Sequence, residues 1–106
     1  MDELYVEAVL SLVERIPVGR ATTYGVLADA VGRGGARQIG RVLAMYGAAV
    51  PWWRVVRADG SLPPSHHSEA LARYHEEGTP IRGSVADAAS LRVELAAALW
   101  LPTLSR

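Results

Sequence analysis

A single, mainly helical domain with a small β component is what this sequence predicts, and three observations carry the expectation. Three amphipathic stretches with helix punctuation fill the first half of its 106 residues. A β-type run, RVVRADGSL, follows and leads into a strong turn dipeptide. Half of the residues are apolar, enough for one core at a length that suits one domain over 1–106.

The elements follow in order. Asp2 is placed to cap a first helix in which Tyr5, Val9, Leu12, Val13 and Ile16 recur at helical spacing, and Pro17 with Gly19 ends it. Thr23 is the expected N-cap of a second helix, with Val26, Leu27 and Val31 on one face and Gly32 where a left-handed stop belongs. After the RGG stretch comes a third helix, about 36–46, with Ile39, Val42 and Leu43 inward and Arg37, Gln38 and Arg41 outward. Two short helices around a glycine-containing turn, the second carrying arginines, fit a helix-turn-helix; a generic helical hairpin fits the same pattern. A hairpin around Asp59-Gly60 would add a wing, making the class mainly α (α+β) with a winged helix-turn-helix-like plan. A fourth helix is expected through Leu71, Tyr74 and His75, capped by Ser68 or a neighbour and stopped by Gly78 and Pro80. In the tail, Leu91, Val93 and Leu95 alternate like a strand while ELAAALW favours a helix, and both readings stand.

Composition excludes several chemistries. With no cysteine there is no disulfide, no zinc-thiolate site and no thiol nucleophile. No apolar run approaches a membrane span and the acidic start lacks a basic leader region, so a soluble cytoplasmic protein is expected. His66 and His67 are adjacent and splay apart, and Glu69 makes a poor third ligand for them or for His75, so no metal and no cofactor are expected. GxSxG is absent, and the glycines of GRGG do not follow a strand as a phosphate-cradling fingerprint would.

Charge is more informative than its total. The formal net charge is zero, yet residues 15–57 hold seven arginines against the single acid Asp29. A GC-rich coding bias explains why every cation is arginine, but it leaves the clustering unexplained. Such a block is the footprint of a polyanion-binding face.

Four segments in order, IPVGRATTYGVLADAVG, GARQIGRVL, VPWWRVVRADGSL and YHEEG, resemble the DNA-binding domain of the O6-alkylguanine-DNA alkyltransferases, from about Leu4 to Gly78. In that family an IPxGxxxTYG-like segment precedes an arginine-led recognition helix, a PCHRV motif and a terminal HEG. Here Trp52 stands at the alkyl-acceptor cysteine and Trp53 at the histidine that activates it. A neutral indole is neither ionised at neutral pH nor comparably nucleophilic. PW in place of PC is the mark of the alkyltransferase-like proteins, and the resemblance implies a non-enzymatic monomer that binds O6-alkylguanine in duplex DNA. It further implies base flipping without repair and hand-over to nucleotide excision repair proteins. Residues 79–106 form a C-terminal extension beyond the family core of 1–78.

Carried over position by position, Arg37 matches the finger that fills the gap left by an extruded base. On its residue type alone it reads as a solvated helix-end cation. Gln38, Gly40 and Arg41 share that exposed helix side, and Gly40 costs about 1 kcal/mol relative to Ala, which suits close approach to a sugar-phosphate strand. Tyr24 matches the tyrosine that presses on a phosphate and edges the lesion pocket; its alternative is a first-turn core aromatic. Thr22 and Thr23 are expected to bond phosphate, or Thr23 only to cap. The lesion pocket is expected to comprise Tyr24, Trp52, Arg54, Val55, Ser65 and His66, with Arg54 tying the motif loop together by hydrogen bonds. No arginine occupies 63–67, so a protonated His66 or His67 is the substitute for the cation that related proteins place there. Trp53 is expected behind the pocket, toward Glu77. Glu77 matches the acid of the activating relay, and with no histidine to orient it is expected as a surface or capping carboxylate. The rival reading is a sequence-specific helix-turn-helix transcription regulator indifferent to alkylation.

Overall fold

The computed structural model describes residues 2–62, 66–84 and 86–102. It is mainly helical with two small sheets, as the sequence predicts. The first helix, α1 (Glu3–Arg15), is capped by Asp2, whose carboxylate accepts from the Leu4 amide. After the strand β1 (Thr22–Thr23), helix α2 (Tyr24–Val31) begins at Thr23, whose Oγ1 accepts from Val26 N at 3.1 Å, and stops at left-handed Gly32. Helix α3 (Ala36–Tyr46) follows a short turn and packs against α2 and α1. The residues between it and the strand β2 (Val55–Val56) form two 3₁₀ turns, Gly47–Ala49 and Trp52–Arg54. Then come α4 (His67–Glu77), β3 (Ile81–Arg82), β4 (Arg92–Val93) and α5 (Leu95–Ala98). No helix among the described residues is long and apolar enough to cross a membrane.

Two apolar clusters meet at a β-ladder. Tyr5, Val9, Val13, Ile16, Leu27, Ile39, Val42 and Val55 form one beneath the three N-terminal helices. Ala21, Val56, Leu62, Ala70, Tyr74, Leu91, Val93 and Ala98 form the other. Successive strand residues face opposite ways, so Val55 and Val56 send one valine into each cluster.

The wing is the point of difference from expectation. The turn itself forms: Gly60 N donates to Arg57 O at 2.8 Å, and Asp59 accepts from Ser61 N at 2.9 Å. Yet β2 pairs in parallel with β1, Thr22 opposite Val55 and Thr23 opposite Val56, while Ser61 bridges Arg92. The antiparallel pair is β3 with β4, Ile81 opposite Val93. Val55 and Val56 are both fully buried, so this run has no polar face to turn outward as a two-stranded wing requires; continuous apolar runs suit parallel strands covered on both sides.

The tail realises both of its readings, a strand at Arg92–Val93 and then a helical turn. It is stitched to β1: Ala21 N donates to Ala98 O at 3.0 Å, Trp100 N to Ala21 O at 2.8 Å, and Arg20 Nε to Ala98 O at 2.9 Å. The extension thereby braces the segment that leads into α2. Helix α4 starts one residue before Ser68, with His66 as N-cap and no side-chain cap bond, and ends at left-handed Gly78.

Candidate nucleic-acid interface

The structure sorts the basic block by what each guanidinium already holds. Arg20 bonds the Ala98 and Leu99 carbonyls, Arg15 lies over the Trp100 ring at 5.8 Å, and Arg33 pairs with Asp2 at 2.6 Å. Arg54 is the most engaged. Its Nε and Nη2 grip the two oxygens of Glu77 at 3.0 and 2.7 Å, and its Nη1 donates to Ile16 O at 2.8 Å. Arg37 and Arg41, in contrast, are exposed on α3 with no side-chain hydrogen bond or ion pair among the described residues. They line a cleft of about 460 Å³ with Gln38, Arg33, Tyr5 and Asp2.

Gly40 lies on the same helix. A Cβ there would meet only Tyr24 Cε1, at 3.9 Å, an ordinary contact. No contact among the described residues requires glycine there. Tyr24 itself is half-buried at the first turn of α2 and packs against the first cluster. Burial pushes its hydroxyl up from the usual tyrosine value against the opposing charge of Arg57, which keeps it a neutral donor. The Tyr24 ring thus packs on the core as a first-turn aromatic, with one edge toward Gly40 of α3.

The motif turn answers how two adjacent tryptophans are placed. A 3₁₀ turn carries them, and their rings meet edge to face with centroids 5.6 Å apart. Trp52 also lies 5.5 Å from the His66 ring, at 58°. Trp53 turns the other way, and its Nε1 donates to Glu77 Oε2 at 3.0 Å. Its ring is flanked by Arg73 at 4.6 Å and Arg54 at 5.5 Å, and it lines a second cleft with Glu14, Pro51 and Arg73. Tyr74 donates its hydroxyl to Trp53 O.

Glu77 therefore corrects the expectation of a surface or capping carboxylate. Only 11% of its side chain is exposed, and it accepts from Arg54, from Trp53 and from Gly19 N at 3.4 Å. Burial raises its carboxyl pKa, but the Arg54 and Trp53 hydrogen bonds, the Gly19 amide and the Arg54 charge outweigh burial and leave it below the ordinary carboxylate value. The Trp53 donor to this acid is an indole N–H, which has no proton to move at neutral pH.

Two further residues, Thr22 and Val55, sit elsewhere than expected, while Arg54 ties the motif turn by hydrogen bonds as expected. The Thr22 side chain is fully buried, because pairing with Val55 turns it inward, away from the surface. Val55 packs in the first cluster with no exposed surface, so it does not line an open pocket. Arg54 faces the Glu77 side of the turn, held there by three bonds. Thr23 spends its hydroxyl on the α2 cap. Ser65 lies outside the described residues. Sequence reasoning passed over Arg57 beside Tyr24 and Arg73 over Trp53; neither carries a local signal, since each contact depends on the fold.

A helix-turn-helix whose second helix carries two exposed arginines, unpaired among the described residues, has the plan of a DNA-binding domain. Residues 5–78 match the model of the 6-O-methylguanine DNA methyltransferase DNA-binding domain, and the chain belongs to that family. A DNA base-flipping protein of Vibrio parahaemolyticus is 34% identical over 65 residues, a match covering 58% of this chain and 64% of that protein's length. S. pombe Atl1, solved with damaged DNA containing O6-carboxymethylguanine, superposes with a TM-score of 0.82 at 27% identity over 96% of this chain and 99% of that one. A second structure of the S. pombe protein with DNA gives 0.79 at 30% identity, over 96% and 98%. The Mycobacterium tuberculosis O6-methylguanine methyltransferase shares the fold over 81% of this chain and 55% of its own, with a TM-score of 0.64 at 24% identity.

Proposed function

We propose that this chain binds duplex DNA containing O6-alkylguanine, turns the damaged base into a pocket walled by Trp52, and leaves the alkyl group in place. Arg37 fills the gap in the stack, offsetting an unstacking cost of a few kcal/mol. Tyr24 bears on the adjacent phosphate while the Gly40 side of α3 lies against the minor-groove backbone. The stable, unrepaired complex then marks the site for nucleotide excision repair proteins.

One observation carries the non-enzymatic reading: the turn at the acceptor position holds two indoles, one locked to Glu77, in a chain without cysteine. Alkyl transfer needs a nucleophile to displace guanine O6 and an activator to deprotonate it. Neither is available from Trp52 and Trp53. The likeness to S. pombe Atl1, whose complex contains damaged DNA, supports the substrate class.

Intact-mass measurement after incubation with O6-methylguanine DNA tests this. The wild-type mass is expected unchanged, and Trp52→Cys alone is expected to gain no methyl, because its thiol would face an indole where a base is needed. A methyl gained by the wild type refutes the reading.

A further inference from the structure

We infer that the cleft at the start of α3 seats one backbone phosphate of a bound duplex, and that Asp2 occupies part of that seat in the free protein. The inference rests on the DNA-binding reading and adds a phosphate contact, centred on Arg33 and Tyr5, to the helix that carries Arg37.

Tyr5 points to it. The residue is only 4% exposed, and its hydroxyl is buried with no hydrogen-bond partner among the described residues. A hydroxyl left in that state costs about 1–3 kcal/mol, and native structures seldom carry the cost without a reason. The hydroxyl abuts Gly34, which has φ +71°; a Cβ at that position would collide with it. A glycine turn is thus pressed onto an unsatisfied donor at the mouth of the helix.

The helix end supplies matching donors. Gly35, the N-cap of α3, has no side chain to accept from the first amides, so they are left for an outside oxygen. Around them stand Arg33, Arg37 and Arg41, with Gln38 beside the Gly34 turn. The charged residues lining the cleft are all arginines except one. That exception is Asp2, whose Oδ2 holds Arg33 at 2.6 Å while Oδ1 caps α1. Arg33 also lies over the Tyr5 ring, 5.1 Å from its centroid. Both members of the Asp2–Arg33 pair are about half exposed, and such a pair exchanges readily. A phosphodiester brings a full charge and two free oxygens, enough to take Arg33 from Asp2 and to reach the α3 amides and the Tyr5 hydroxyl together.

Titrating a plain duplex against four variants of the full chain tests the seat. Asp2→Asn keeps an N-cap acceptor but removes the competing charge, and should tighten binding about two- to fivefold, the range of one exposed ion pair. Arg33→Ala should weaken binding about fivefold and lower the log–log salt slope by about one. In the Arg33→Ala background Asp2→Asn should add nothing, since its effect runs through Arg33. Tyr5→Phe should leave thermal stability equal or higher while weakening binding about threefold. Equal tightening by Asp2→Asn in both backgrounds would mean long-range charge only and overturns the seat, as does unchanged affinity in Tyr5→Phe. A wild-type chain that binds no duplex overturns the DNA-binding reading and the seat together; wild-type binding with unresponsive variants overturns the seat alone.

Discussion

The exposed side of α3 and the motif turn handle the same side chain in opposite ways. On α3, Arg37 and Arg41 stand without a partner among the described residues. At the turn, Arg54 has an ion pair, a carbonyl and an aromatic face, and only 12% of its side chain is exposed. A guanidinium that the fold leaves unmatched is available to an outside anion, while one enclosed by the fold is a structural part. The basic block is thus two populations, and arginine count overstates the binding surface.

Breaking the enclosed population should have the largest effect. Glu77→Ala leaves Arg54 buried without its anion and should cost about 3–5 kcal/mol in urea denaturation, as broken buried pairs do. A loss under about 1 kcal/mol would place Arg54 among the loosely held cations. The same pair sets an acid limit. Because the folded-state pKa of Glu77 is depressed, its contribution is complete above the ordinary value of 4.5 and is lost as pH falls through the lower folded value. Stability measured from about pH 7 downward should therefore hold until below 4.5 before this contribution disappears.

Arg37→Ala should do the reverse. Affinity for O6-methylguanine duplex should fall about tenfold, equivalent to about 1.4 kcal/mol, with folding stability within about 0.5 kcal/mol of wild type. Loss of stability and affinity in parallel would move Arg37 into the structural group. The smallest expected change comes from Gly40→Ala. The helix should gain up to about 1 kcal/mol, since the added methyl meets nothing closer than 3.9 Å, while DNA affinity drops. An alanine variant that is more stable and binds equally well removes the argument for close backbone approach.

What the sequence disclosed and what it hid divide by range. Asp2, Thr23, Gly32 and Gly78 act on their own helices, and all four occupy the expected ends. The motif order also located the turn and the α3 face. The β1–β2 pairing was not legible, because Asp59-Gly60 advertises a hairpin while Val55 is buried by the N-terminal helices and Val56 by α4 and the tail, both distant in sequence. The Glu77 hub was hidden for the same reason. Its partners lie 23, 24 and 58 residues away, and the loss of the activating histidine argued for a freed acid instead of one gripped by Arg54 and an indole.

The central claim is that the α3 face and the tryptophan turn read an alkylated base and leave it unrepaired. The most direct test is a binding titration of otherwise identical duplexes carrying guanine or O6-methylguanine at one position. The account predicts tighter binding to the alkylated duplex, with the preference lost in Arg37→Ala. Equal affinity for both duplexes would contradict it.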